Sequence, residues 1–273
     1  MGNGTMTRRA TLALVVLGLS LGCGTVPATV ADGATGAATD AASGDLVLVV
    51  GATGRTGIYA VEQLVDRGYR VRALVRNPDK ARAALPAGVD VVVGDVRDPA
   101  TLDPAMQGVK YVISAIGGGA RNAVAGNGPE EVDHLGNVHL ADAAQRAGVA
   151  QFVLVSSGSV THAADYPVPF MRPVLAAKLK SEDHLRASGL PYTVVRPGAL
   201  IDEPTGPGHI VLRQGDGPPG QISRVELARI SVAVLGSAAA LGKTFEAAAE
   251  AGEAAGDLEA LFAALQPDPS PAQ

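Results

Sequence analysis

The stretch VVGATGRTG, Val49 to Gly57, sets Gly51, Gly54 and Gly57 at every third position behind a hydrophobic run. Upstream, LVLVV (46–50) is uninterrupted and apolar, as strands buried on both faces are. Downstream, Ile58, Val61, Leu64 and Val65 recur at helical spacing until Gly68, which suits a helix C-cap. The glycines therefore occupy a tight strand-to-helix turn, and each has a separate task. Gly51 permits the bend, Gly54 lets the backbone approach a phosphate-bearing ligand, and Gly57 lets the helix pack closely on the strand. The helix N-terminus then offers free N–H groups and a partial positive charge to an anion. A merely structural turn does not need all three glycines.

Outward from this turn the chain keeps alternating. Apolar runs at 69–75, 89–95, 110–116, 151–157 and 192–198 predict strands. Amphipathic stretches near 78–84, at 99–108 and 130–148, and near 174–188 predict helices between them. Such alternation implies right-handed βαβ units and a parallel sheet, an α/β doubly wound fold. The remainder is less regular. HIVLRQG and QIS read as short strands or one loop, and SRVELARISVAVLG (223–236) as a helix capped by Ser223. KTFEAAA (243–249) reads as an edge strand, and 257–265 as a last helix capped by Asp257.

Composition excludes several functions. The chain has 273 residues, 47% of them hydrophobic, enough for a sizeable core. A net charge of −5 with no basic block argues against nucleic-acid binding, which needs a clustered cationic face. One cysteine, Cys23, allows neither an internal disulfide nor a cysteine-based metal site. The five histidines are scattered, so no metal site is expected.

The strand ends carry the ligand chemistry. The glycine loop lies between a strand and a helix, the context of a dinucleotide-binding fingerprint, with Thr53, Arg55 and Thr56 completing it. NAD-preferring sites place an acid at the tip of the second strand to hold the ribose hydroxyls. Here that tip is Val75-Arg76-Asn77. Arg76 can pair bidentately with a 2′-phosphate, and Arg55 can reach the same group, so the expected cofactor is NADP(H). Asp95 in GDV (94–96) can accept from the adenine amino group, with Val96 beside it. Ala115, Ile116 and Gly117 in SAIGGG are small enough for close passage of the cofactor.

With these residues in view, the chain resembles the atypical short-chain dehydrogenase/reductases of the NAD(P)H-binding, NmrA-like kind. The matching stretches are VVGATGRTG, LVRNPDK, VVVGDVRDP, YVISAIG, DAAQRAGVAQFVLVSS, AAKLKSEDHLRASGLPYTVVRPGAL and ISRVELARI, in family order across roughly residues 45–250. The resemblance implies one Rossmann-like domain at 45–266 with a small C-terminal substrate region. It also implies a Tyr four residues before a Lys, helped by a Ser, as the proton-transfer machinery. Lys178 in AAKLK takes the lysine position, but Val174 stands where the Tyr belongs. Aligning on Lys180 gives Ala176 instead, and Tyr166 is followed four residues later by Phe170. Ser157 matches the serine, with Ser156 as its alternate, and Pro197-Gly198 the turn lining the nicotinamide pocket. His162 and Tyr166 lie in the loop above the site. Two functions are expected from this set. One is an NADP(H)-dependent oxidoreductase passing hydride to a small acceptor such as a quinone, flavin or carbonyl. The other is a non-catalytic NADP(H)-binding sensor or scaffold.

The first residues are a different object. Arg8-Arg9 precedes ATLALVVLGLSL and Gly22-Cys23, the layout of a secretory signal over 1–23. TRRATL resembles a twin-arginine motif and SLGC a lipobox, which would lipidate Cys23 and tether an exported protein to a membrane. A downstream start would instead leave the protein cytoplasmic. Residues 24–44, rich in Ala, Gly, Thr and Asp, read as a flexible linker, and 267–273 as a disordered tail.

Overall fold

The computed structural model describes residues 44–118, 126–203, 208–217, 220–252 and 257–269. The signal, Cys23 and nearly all of the linker lie outside these residues. LVLVV forms β1 (Leu46–Val50), and all five of its residues are buried. It pairs in parallel with β2 (Arg70–Val75) on one side and with β4 (Tyr111–Ser114) on the other. Beyond β2 lies β3 (Asp90–Val93), and beyond β4 lie β5 (Gln151–Val155) and β6 (Tyr192–Pro197). All these pairings are parallel, as βαβ crossovers require.

Alternate residues of β1 point to opposite faces, so one apolar run serves two cores. Val47 and Val49 pack with Ala60, Val61 and Leu64 of helix α1 (Gly57–Asp66) and Leu227 of α6 (Arg224–Ala233). Leu46, Leu48 and Val50 pack with Leu140 and Ala144 of α4 (Asn137–Ala147) and Leu185 of α5 (Arg172–Ala187). Helices on both faces make a doubly wound, Rossmann-like sheet. Its switch point lies between β1 and β4, and ligands of open α/β sheets bind there.

Four expectations change in detail. The helix expected at 130–148 starts as a π-helical segment, Glu130–Gly136, before α4. The one expected at 99–108 is a 3₁₀ turn, Pro99–Thr101, followed by the single turn α3 (Leu102–Ala105). The segment expected at an edge is an interior strand, β10 (Lys243–Ala251). It pairs in parallel with β6 and antiparallel with β8 (Gly208–Arg213) and β9 (Gln221–Ser223). Ala247 and Ala248 are buried, and Phe245 fills the core against Phe262 of α7 (Leu258–Ala264). HIVLRQG and QIS are therefore strands, and with β7 (Ala199–Ile201) on β9 they extend the sheet past β10.

The tail expectation is corrected at residue 268. The Asp268 carboxylate accepts from the Thr244 N–H at 2.9 Å, the Thr244 hydroxyl at 2.5 Å and the Tyr192 hydroxyl at 2.8 Å. These bonds fasten the chain beyond α7 to β6 and β10. Residues 270–273 lie outside the described residues.

Candidate functional site

The carboxyl ends of β1, β2, β3 and β4 open into one cleft of about 440 Å³. The glycine turn forms one wall. Gly51 has φ +88°, and a Cβ there would fall 2.6 Å from the Ala115 carbonyl oxygen at the end of β4. Only glycine satisfies both the dihedral and the contact. The Gly54 N–H closes the turn on the Gly51 carbonyl at 2.8 Å. A Cβ on Gly57 would lie 2.1 Å from that same carbonyl, so the first turn of α1 sits directly against the loop. The N–H groups of a first helical turn have no partners within the helix, so this corner suits a pyrophosphate.

Of the expected cofactor residues, Gly51, Thr53, Gly54, Arg76, Asp95, Val96, Ala115, Ile116 and Gly117 line the cleft. Thr56 and Gly57 shape the helix start behind it. Arg55 points elsewhere: its guanidinium lies 3.6 Å from the Asp202 carboxylate, on the exposed surface. A second cation lining the cleft is Lys80, four residues along from Arg76 and in the first turn of the helix that follows. Asn77 caps α2 (Pro78–Ala84), its Oδ1 accepting the Lys80 N–H at 3.0 Å, and this fixes where the lysine leaves the helix. The spacing of four between Arg76 and Lys80 was a signal available in the sequence. Asn127, whose Oδ1 accepts from Arg76 Nη1 at 2.9 Å, had none.

Asp95 is itself held. Arg97 grips its carboxylate through Nε at 3.0 Å and Nη2 at 2.6 Å. These hydrogen bonds keep the Asp95 carboxyl below the ordinary carboxylate range against the opposing effect of burial. Arg97 Nη1 also donates to the Gly126 carbonyl at 2.9 Å. Two arginines, from the loops after β2 and β3, thus reach residues 126 and 127, of which Asn127 lines the cleft.

The expected catalytic residues lie beside the cleft. Lys178 is buried on α5, with Nζ 3.1 Å from Oδ1 of Asp133, 3.3 Å from the Val155 carbonyl and 3.5 Å from the Ile116 carbonyl. Val174, one turn earlier, is buried in the same helix. Ser157 is half-buried, and its hydroxyl donates to the adjacent Gly158 carbonyl at 3.1 Å, a local backbone cap. The Ser156 hydroxyl turns the other way, to Glu182.

Behind Ser156 the polar groups pair with one another, apart from Glu246 Oε2, which is buried without a hydrogen-bond partner. Glu182 is fully buried and accepts from Arg196 Nε at 3.1 Å and Nη2 at 2.7 Å. Arg196 Nη1 reaches Glu246 at 3.3 Å. The Arg196 side chain therefore points into the fold, and only backbone from this turn faces outward. Pro197 accepts the Gly158 N–H at 2.9 Å, and a Cβ on Gly198 would meet the Gly220 carbonyl at 2.1 Å. Tyr166 contributes its carbonyl to Arg172 Nε at 2.9 Å, and the His162 N–H bonds Ser159 at 3.1 Å. Neither side chain lines the cleft.

Comparison with known proteins agrees with this geometry. Residues 51–238 match the NAD(P)H-binding family. An uncharacterized chloroplastic protein of Arabidopsis thaliana is 32% identical, over 85% of this chain and 86% of its own. Sanguinarine reductase of Eschscholzia californica is 29% identical, over 79% of this chain and 94% of its own. The solved structure of a putative NAD-dependent epimerase/dehydratase from Bacillus halodurans superposes with a TM-score of 0.71 at 28% identity. That superposition covers 81% of this chain and all of the other. The glycine loop, the switch-point cleft and these likenesses lead to one assignment: the chain belongs to the NAD(P)H-binding family, the atypical, NmrA-like branch of the short-chain dehydrogenase/reductases.

Proposed function

We propose that this protein is an NADP(H)-dependent oxidoreductase that passes hydride to a small acceptor, a quinone, flavin or carbonyl compound. The observation that carries the cofactor preference is the pair Arg76 and Lys80 on the cleft at the end of β2. Among the described residues, the one acid lining that cleft, Asp95, is already gripped by Arg97. Two cations without a free carboxylate favour a 2′-phosphate over a bare ribose. The glycine loop takes the pyrophosphate, and Ala115 to Gly117 give a close, uncharged surface for the rest of the dinucleotide.

Reduced nicotinamide supplies the hydride when bound. The chain's own contribution is to bind and orient. Val174 cannot move a proton, so acceptors protonated from solvent, such as quinones and flavins, suit the site better than simple ketones. A relative named for reducing sanguinarine supports the reductase class. The test is NADPH oxidation with a panel of quinones, flavins and aldehydes. Tight NADPH binding without turnover of any acceptor would reject the enzyme and leave a sensor or scaffold.

We further read residues 1–23 as a targeting leader, on the strength of Arg8-Arg9 and the apolar run after them. Twin-arginine export carries folded proteins and would let the cofactor travel inside its site. A full-length, unprocessed cytosolic protein on fractionation would overturn this reading, and absence of lipid label would remove the anchor at Cys23.

A further inference from the structure

Among the described residues other than glycine, two have a positive φ: Ser159 at +65° and Asp216 at +56°. Both are buried, and they meet each other. The Asp216 carboxylate accepts the Ser159 N–H through Oδ1, and the Thr161 N–H and hydroxyl through Oδ2 at 2.8 and 2.6 Å. The Asp216 N–H donates to Glu246 Oε1 of β10 at 3.2 Å. A carboxylate from the loop after β8 therefore pins the segment that follows β5, including the start of the 3₁₀ segment Val160–Asp165. Glycine would relieve the strain at either position, and glycines stand beside both, as Gly158 and as Gly215 and Gly217. Strain of this kind persists only where surrounding contacts impose it, and such positions cluster where ligands are held.

The place of this clasp in the fold gives it a task. Residues lining the dinucleotide cleft run from Arg76 after β2, past Gly51 after β1, to Ile116 after β4. With the 2′-phosphate read at Arg76, the reactive end of the cofactor lies toward β4. Lys178 Nζ, between the Ile116 and Val155 carbonyls, carries that line on to β5. The segment leaving β5 is therefore the next surface an acceptor meets, and its Gly158 N–H is bonded to the Pro197 carbonyl at the end of β6. Ser159, Thr161 and Asp216 do not line the dinucleotide cleft. We propose that Asp216 is a positioning residue for the acceptor: it holds Ser159 to Thr161 in one conformation and so shapes the wall against which a quinone, flavin or carbonyl compound lies. This inference rests on the oxidoreductase reading above.

The test is Asp216→Gly in the full chain, which removes the carboxylate and suits the backbone dihedral. Hydrogen exchange should show the amides of residues 159–161 losing protection about tenfold, with β5 and β6 unchanged. Calorimetry should show NADPH affinity unchanged. KM for whichever of menadione, riboflavin and benzaldehyde the wild-type protein reduces should rise about tenfold, the order expected when a hydrogen bond to a charged group is lost. If Asp216→Gly fails to fold, Asp216→Asn carries the same readouts with smaller effects, because it keeps one acceptor oxygen and tolerates the left-handed region. Protection lost equally across β5 and β6, or NADPH and acceptor weakened alike, would show that Asp216 only supports the fold and would overturn the proposal. Unchanged exchange at 159–161, or an unchanged KM for the acceptor, would overturn it too. Wild-type protein that binds NADPH and reduces none of the three probes would instead refute the oxidoreductase reading itself, and the acceptor wall with it.

Discussion

The two ends of the sheet use charge in opposite ways. Around β6 and β10, buried acids and bases pair with one another, with Glu246 Oε2 left over. Glu182 takes Arg196 and, at 2.7 Å, Arg186, while Arg186 also donates to Thr244 at 3.1 Å and lies 3.5 Å from Asp268. Around β2 and β3, Arg76 and Lys80 are exposed and turned to a cleft. A buried charge must find its partner inside the chain, because desolvation is costly. A cleft charge can keep water until a ligand replaces it. The carboxyl-terminal network therefore reads as structure, and the cleft as the place where binding happens.

The strongest way to break that contrast is Glu182→Ala. It leaves buried Arg196 with only the longer contact to Glu246 and should cost about 3–5 kcal/mol in denaturant unfolding. If NADPH affinity fell while stability held, the network would belong to the site. Next is Arg76→Ala, which should weaken NADPH about 10- to 100-fold and leave NADH nearly unchanged, the loss of one charge-assisted contact. Unchanged NADPH affinity would refute the 2′-phosphate contact. Gly51→Ala forces a side chain into positive φ and against the Ala115 carbonyl, at a cost of about 1–3 kcal/mol in strain. Thermal unfolding should record that cost, and calorimetry a loss of both NADPH and NADH.

The smallest effect is a pH dependence at Asp95. Arg97 lowers its folded pKa, so its contribution to stability is present above the unfolded value of about 4 and is lost as pH falls through the lower folded value. Asp95→Asn should flatten the acid limb of the unfolding midpoint slightly. A steeper limb would mean that burial, not Arg97, dominates there.

The strands, the helices and the glycine loop were legible because their signals are local. Period 2, period 3.6 and three spaced glycines need only neighbouring residues. Nine cleft-lining residues followed from knowing where strands end. The place of Arg55 in the loop points it to the cleft, but loop membership does not set side-chain direction. Asp202 lies far along the chain and draws it outward. Strand β10 shows the same limit: alanines carry little periodic signal, and only pairing with β6, β8 and β9 makes it central. The Asp133–Lys178 pair joins residues on separate helices, and nothing near Asp133 distinguishes it from the acids Glu130 and Glu131.

By itself the sequence determined a doubly wound sheet, a phosphate-binding turn after its first strand, and a valine where a proton-donating tyrosine would stand. Tertiary structure alone decided which cations face the cleft, which acids are already spoken for, and which carboxylate holds Lys178. The reason is physical: backbone patterns arise from contacts within a few residues, while the availability of a charge depends on what the fold brings within about 4 Å of it.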